Sequence, residues 1–167
     1  MPLASQHQRA IQRFEVSLKA FIVHEGHALF VRESDTGWWE LPGGRIDVGE
    51  EWEPQSAILA REIAEELGRN LELSVGREAV TWMRRRPTDG QFLFIVARPA
   101  IIEAGEPVLS AEHREMAWLG PEAASGLTFP PQSGYPAAVA ELFRLTGPAA
   151  CVGPFPGSEP EPRPVRP

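Results

Sequence analysis

Residues 41–68 read LPGGRIDVGEEWEPQSAILAREIAEELG, a glycine-rich loop running directly into an amphipathic helix. Pro54 suits a first helical turn, and Gly68 stands just past the last apolar residue, where a helix stops. At about 100° per residue, Leu59, Ile63 and Leu67 form one stripe, which Ala60 and Ala64 extend. Glu62, Glu65 and Glu66 fall within a roughly 100° arc beside that stripe. The apolar stripe must face a core, so the carboxylates border the buried side rather than oppose it. Like charges at this spacing repel one another, and the cluster is costly unless a cation binds or a proton is shared. Hard oxygen ligands at close quarters suit Mg²⁺ or Mn²⁺. Arg61, one turn before Glu65, is placed to orient that carboxylate. A solvated acidic helix is the plain alternative, since Glu is a good helix former, and the upstream loop argues against it. Gly43 and Gly44 let backbone approach a ligand, and Gly49 permits a tight turn before Glu50. A glycine loop entering such a helix suits a diphosphate and a metal together.

The rest of the chain alternates strand and turn signals. FEVSLKAFIV and ALFVRE flank His24-Glu25-Gly26-His27, a hairpin, with both histidines read as turn residues. A second hairpin turns at Pro87-Thr88-Asp89-Gly90, EMAWLG is a short strand, and YPAAVAELFRL is a final helix. Trp82, Phe92 and Phe94 are expected in the core, and Arg84, Arg85 and Arg86 at a solvated hairpin tip. Hairpin, loop, helix, hairpin, strand, helix predicts a mixed sheet covered by helices. Residues 1–12 read as a loose arm, 13–146 as one domain and 147–167 as a disordered tail, with seven prolines among its twenty-one residues.

With the loop and helix side by side, the chain resembles the Nudix hydrolase family, whose signature is G-x5-E-x7-R-E-U-x-E-E-x-G-U with U apolar. Gly44 to Glu50 fits the first half, Arg61 to Gly68 fits the second, and Trp39 to Gly44 looks like the W-x-L-P-G-G that precedes it. Ten residues rather than seven separate Glu50 from Arg61, and Arg69 stands at the last apolar position. Taking Glu53 as the signature glutamate restores the spacing but puts Asp47 where glycine belongs, so Glu50 with a three-residue expansion is preferred. The resemblance implies an α/β/α sandwich with a mixed β-sheet. It implies that Glu62, Glu65 and Glu66, with the Gly43 carbonyl, bind Mg²⁺ or Mn²⁺, and that Arg61 orients them. A further loop carboxylate is expected from Glu112, with Glu115 as the other choice. Gly44 and Glu50 are expected at the substrate; Trp38 and Trp52 are candidates to stack on its base, while Trp39 packs the loop.

The implied activity is hydrolysis of the pyrophosphate linkage of a nucleoside diphosphate joined to another group. Nucleoside triphosphates, ADP-ribose, nucleotide sugars and dinucleoside polyphosphates all qualify. Two rivals share the fold. A non-catalytic nucleotide sensor is expected to lose the box glutamates, which are present here. An isomerase of the isopentenyl diphosphate type calls for a core cysteine, whereas the only cysteine is Cys151, in the tail. Composition agrees with a globular protein, at 43% hydrophobic and 23% charged. A net charge of −7 argues against binding a nucleic-acid duplex. No stretch reads as a signal peptide or membrane span. A cytoplasmic monomer or homodimer acting on a small nucleotide is the resulting expectation.

Overall fold

The computed structural model describes residues 10–147. The proline-rich tail expected over 147–167, apart from Gly147, and most of the N-terminal arm lie outside the described residues. Residues 10–12 are exposed and without regular structure.

The strands are β1 (Glu15–His24), β2 (His27–Glu33), β3 (Trp39–Glu40), β4 (Glu72–Val75), β5 (Val80–Arg85), β6 (Phe92–Ala104) and β7 (His113–Leu119). The helices are α1 (Gln55–Leu67), α2 (Pro121–Ser125) and α3 (Tyr135–Thr146). All seven strands join one sheet in the order β3-β2-β1-β6-β4, with β5 also on β6 and β7 on β2. β1 and β6 run parallel while the other pairings are antiparallel, so the sheet is mixed as expected. The β1–β2 turn uses Glu25 and Gly26, both at positive φ (47° and 77°), the conformation that matches a two-residue hairpin to strand twist. The β5–β6 turn closes through Gly90, at φ 74°, whose N–H donates to the Arg86 carbonyl at 2.9 Å.

β1 lies mid-sheet and is buried without a break from Ser17 to Val23, as befits a strand covered on both faces. Its alternate side chains feed two cores. Leu18, Ala20 and Ile22 pack with Ile58, Leu59, Ile63 and Leu67 of α1. Phe21 and Val23 pack on the other side with Tyr135, Val139 and Leu142 of α3. Two helices on opposite faces of one sheet make the α/β/α sandwich. α2 is too short for its helical period to show, and only its Pro121 start is legible in sequence.

Two packing expectations are corrected. Trp82 is buried, but Phe92 and Phe94 share the opposite face of β6 from the buried Leu93 and Ile95, and gather with Phe14 in edge-on contacts at 6.0 and 6.3 Å. Arg84 is not at a solvated tip. Strand alternation turns it inward, and its side chain is 10% exposed.

Candidate active site

The loop after β3 is stitched to β1 almost as an extra strand. Leu18 N–H donates to the Gly44 carbonyl at 2.8 Å, Ala20 N–H to Pro42 at 2.9 Å, and Ile46 N–H to Val16 at 3.0 Å. Two glycines are required there. Gly43 has φ 120°, and a β-carbon on it would lie 2.3 Å from the Leu18 carbonyl oxygen. A β-carbon on Gly44 would lie 2.1 Å from a Glu62 carboxylate oxygen. Gly43 is thus fixed by backbone on both counts, while a side chain at Gly44 would push the Glu62 carboxylate aside.

Glu66 stands at this junction and is 6% exposed. Gly43 N–H donates to its Oε2 at 2.7 Å. Burial pushes its pKa up to about 7, assisted by the negative charges of Glu62 and Glu112 and opposed by Lys19 and the Gly43 N–H. Burial likewise raises Glu62, with Arg61 opposing. Glu65, at 55% side-chain exposure, lies on the rim. The loop after β6 is tied to the end of α1, with Val108 N–H donating to the Leu67 carbonyl at 2.8 Å and Ser110 N–H to Glu66 at 2.9 Å. That anchorage brings Glu112 to the same cleft as Glu66, whereas Glu115 turns away to pair with Arg32 at 3.1 Å.

Arg61 gathers the acidic groups. It bonds Glu50 through Nε and Nη2 at 2.6 and 2.8 Å, and reaches Glu62 at 3.1 Å and Glu65 at 3.5 Å. Paired with Arg61, the Glu50 carboxyl stays below the usual range. The Glu50 carboxylate, expected at the substrate, is engaged here with Arg61 and clamps the helix. The preference for Glu50 over Glu53 agrees with this clamp, which spans the expanded segment.

A cleft of about 480 Å³ opens beside these groups, bordered by Gly43, Gly44, Glu66 and Glu112. Its floor holds residues that sequence reasoning missed. Lys19 donates to the Gly43 carbonyl and lies 3.3 Å from Glu40. Arg84 reaches the other Glu40 oxygen at 2.9 Å, and Tyr135 Oη donates to Glu40 at 3.3 Å. His113 is buried with Nε2 3.8 Å from Glu66, and its Nδ1 has no partner among the described residues. One signal was available: Lys19 interrupts an otherwise apolar run in β1, where a lysine persists only with partners. The structure does not bring the two tryptophans to the cleft. Trp52 is 91% exposed on the expanded loop, and Trp38 is half-buried with its N–H on Thr36 Oγ1. Neither lines the cleft. Trp39 packs in the core with Arg32 over its ring at 5.7 Å.

A divalent cation fits this donor set. Glu66 carries a raised pKa with two like charges for neighbours, and the Gly43 carbonyl already serves one cation, the Lys19 ammonium. Among the described residues no three carboxylates or imidazoles are gathered as a ready ligand set.

The sequence profile of the NUDIX domain matches residues 14–142. The chain belongs to the Nudix family. It is 31% identical over 112 residues to a MutT-like protein of Streptomyces ambofaciens, the alignment covering 66% of each chain. A Bacillus subtilis (strain 168) relative carrying a provisional name as an 8-oxo-dGTP diphosphatase is 42% identical over 66 residues, covering 40% of this chain and 41% of the relative. The solution structure of the E. coli ORF135 protein superimposes with a TM-score of 0.61 at 26% identity, covering 87% of this chain and 95% of that one.

Proposed function

We propose that the protein is a metal-dependent pyrophosphohydrolase that cuts the pyrophosphate linkage of a nucleoside diphosphate derivative. The observation that carries this reading is Glu66: a buried carboxylate fixed by a loop N–H, flanked by Glu62 and Glu112, at the edge of a cleft with a cationic floor. In this reading Glu62, Glu66 and Glu112, with the Gly43 carbonyl, hold Mg²⁺ or Mn²⁺, and Glu65 assists from the rim. The bound ion supplies charge stabilisation at the phosphoryl oxygens and a more acidic water.

The chain's own residues do the rest. Arg61 fixes Glu62 and Glu65 while anchored on Glu50, so the carboxylates are oriented before substrate arrives. Lys19 and Arg84 supply positive charge on the floor, with Glu40 neutralising part of it and holding both in place. A phosphate chain lying across Gly43 and Gly44 meets backbone at close range because neither carries a side chain.

A panel of nucleotides assayed with Mg²⁺ and with Mn²⁺ tests the reading. Nucleoside triphosphates head the panel, given the name of the Bacillus subtilis relative; ADP-ribose, nucleotide sugars and dinucleoside polyphosphates complete it. The expected result is release of a nucleoside monophosphate, abolished by chelation. Nucleotides that raise the melting temperature without being turned over would refute the catalytic reading in favour of a nucleotide sensor.

A further inference from the structure

A second cleft, of about 870 Å³, lies between the first half of α1 and strands β1, β4 and β6. It is larger than the catalytic cleft and lies on the opposite face of the same strands. On β6, Leu93 and Ile95 line the catalytic cleft, while Val96 and Arg98 line the second. On β1 the Lys19 ammonium is engaged with Gly43 and Glu40 on the catalytic face, and Leu18 walls the second cleft. Leu59 and Ile63 of α1, Leu73 and Val75 of β4 and Val96 of β6 complete an apolar wall. Three of these, Leu73, Val75 and Val96, pack against the core beneath α1 yet stay half-buried, so part of each side chain faces the cleft.

The charged groups at this wall share one sign. Besides Lys19, its charged lining residues are Arg77 and Arg98, in a chain of net charge −7. Among the described residues neither arginine has a carboxylate partner. Arg98 Nη2 donates to Gln55 at 3.1 Å, and its buried Nε has no acceptor. α1 starts at the same place with no side-chain cap and no acid in its first turn, which adds to the positive potential. A recess of this size, its lining divided evenly between polar and apolar surface and its charges all positive, complements a small amphipathic anion.

We propose that the second cleft binds a small-molecule anion of this kind: an apolar ring or chain bearing one carboxylate or phosphate, its body on Leu73, Val75 and Val96 and its charge on Arg98 and Arg77. The probe is 8-anilinonaphthalene-1-sulfonate, titrated by fluorescence into the full chain with chelator present. One saturable site is expected. Arg98→Gln and Leu73→Asp should each weaken it at least tenfold while circular dichroism and melting temperature stay at wild-type values. Should Arg98→Gln fail to fold, Leu73→Asp, on a half-buried side chain, decides alone. Glu62→Gln, on the catalytic face, should leave probe affinity unchanged. Decanoate and phenyl phosphate as competitors separate carboxylate from phosphate ligands, and displacement by at least one is expected. Unchanged affinity in a folded Leu73→Asp or Arg98→Gln, weakening by Glu62→Gln, or displacement by neither competitor would overturn the proposal. The outcome is independent of whether nucleotides are hydrolysed.

Discussion

Replacing Glu66 with Gln separates the catalytic cost of this carboxylate from its structural cost. With a folded-state pKa of about 7 against an ordinary 4.5, the folded chain binds its proton more tightly than the unfolded chain does. Stability from this group is therefore greatest below pH 4.5 and declines as the pH rises through 7. The 2.5-unit difference corresponds to about 3 kcal/mol, of which roughly 2.5 falls between pH 5 and pH 8. Glu66→Gln keeps an oxygen for the Gly43 N–H and removes the ionisation. Urea melts of both proteins in chelator, at pH 5 and pH 8, measure the effect. The wild type should lose about 2 kcal/mol more than the variant over that interval, and the variant should melt at an equal or higher temperature at pH 8. Turnover of the best nucleotide should fall by about three powers of ten or more, the scale expected when a group bearing on transition-state charge is removed. Equal pH slopes in the two proteins would refute the electrostatic argument, and near-normal turnover would refute the assignment of Glu66 to the site.

Glu112→Gln should lower kcat by about ten- to a thousandfold, whereas Glu115→Gln, which loses only a surface pair with Arg32, should change kcat less than twofold; steady-state kinetics decide between them. Arg84→Met should raise KM by roughly ten- to a hundredfold, because hydrogen bonds to charged groups contribute about 1.5–3 kcal/mol. If Arg84→Met leaves KM unchanged, the guanidinium serves Glu40 alone. Trp52→Ala should leave both KM and kcat unaltered, since the indole is 91% exposed and lines no part of the catalytic cleft; a tenfold rise in KM would show that the loop closes over substrate.

Local signals carried much of the architecture into the sequence. Pro54, Gly68 and the Leu59–Ile63–Leu67 stripe mark α1, and Glu25-Gly26 and Pro87 to Gly90 mark two turns, because each rule acts within a few residues. The carboxylate row was legible for the same reason. Lys19, Glu40 and Arg84 were not, because their meaning is a meeting of three strands, and nothing near Arg84 in its run of arginines says which one turns inward. Phe92 and Phe94 misled because alternation places two residues on one face without saying which face is covered; Leu93 and Ile95 took the core. Trp38 and Trp52, candidates for base stacking, do not line the cleft in this structure, since chain proximity to the glycine loop does not fix direction. The partner of Glu50 lies eleven residues on, and only the folded loop brings Arg61 to it.

The clamp between Glu50 and Arg61 also makes the expanded segment a self-contained module. Asp47 N–H donates to Glu50 at 2.8 Å and Glu53 N–H to the Glu50 carbonyl at 2.9 Å, so the excursion starts from a fixed post, while the Arg61 contact fixes its far end on the helix. Between Glu50 and the start of α1 at Gln55 length is nearly free: doubling a flexible loop costs only about 0.6 kcal/mol in closure entropy. Three extra residues before Gln55 thus leave the register of the α1 carboxylates intact, and a protein engineer could add more there. A peptide epitope or reporter spliced beside Trp52 would ride on the outside of the enzyme, with the Arg61 clamp isolating the chemistry from its cargo.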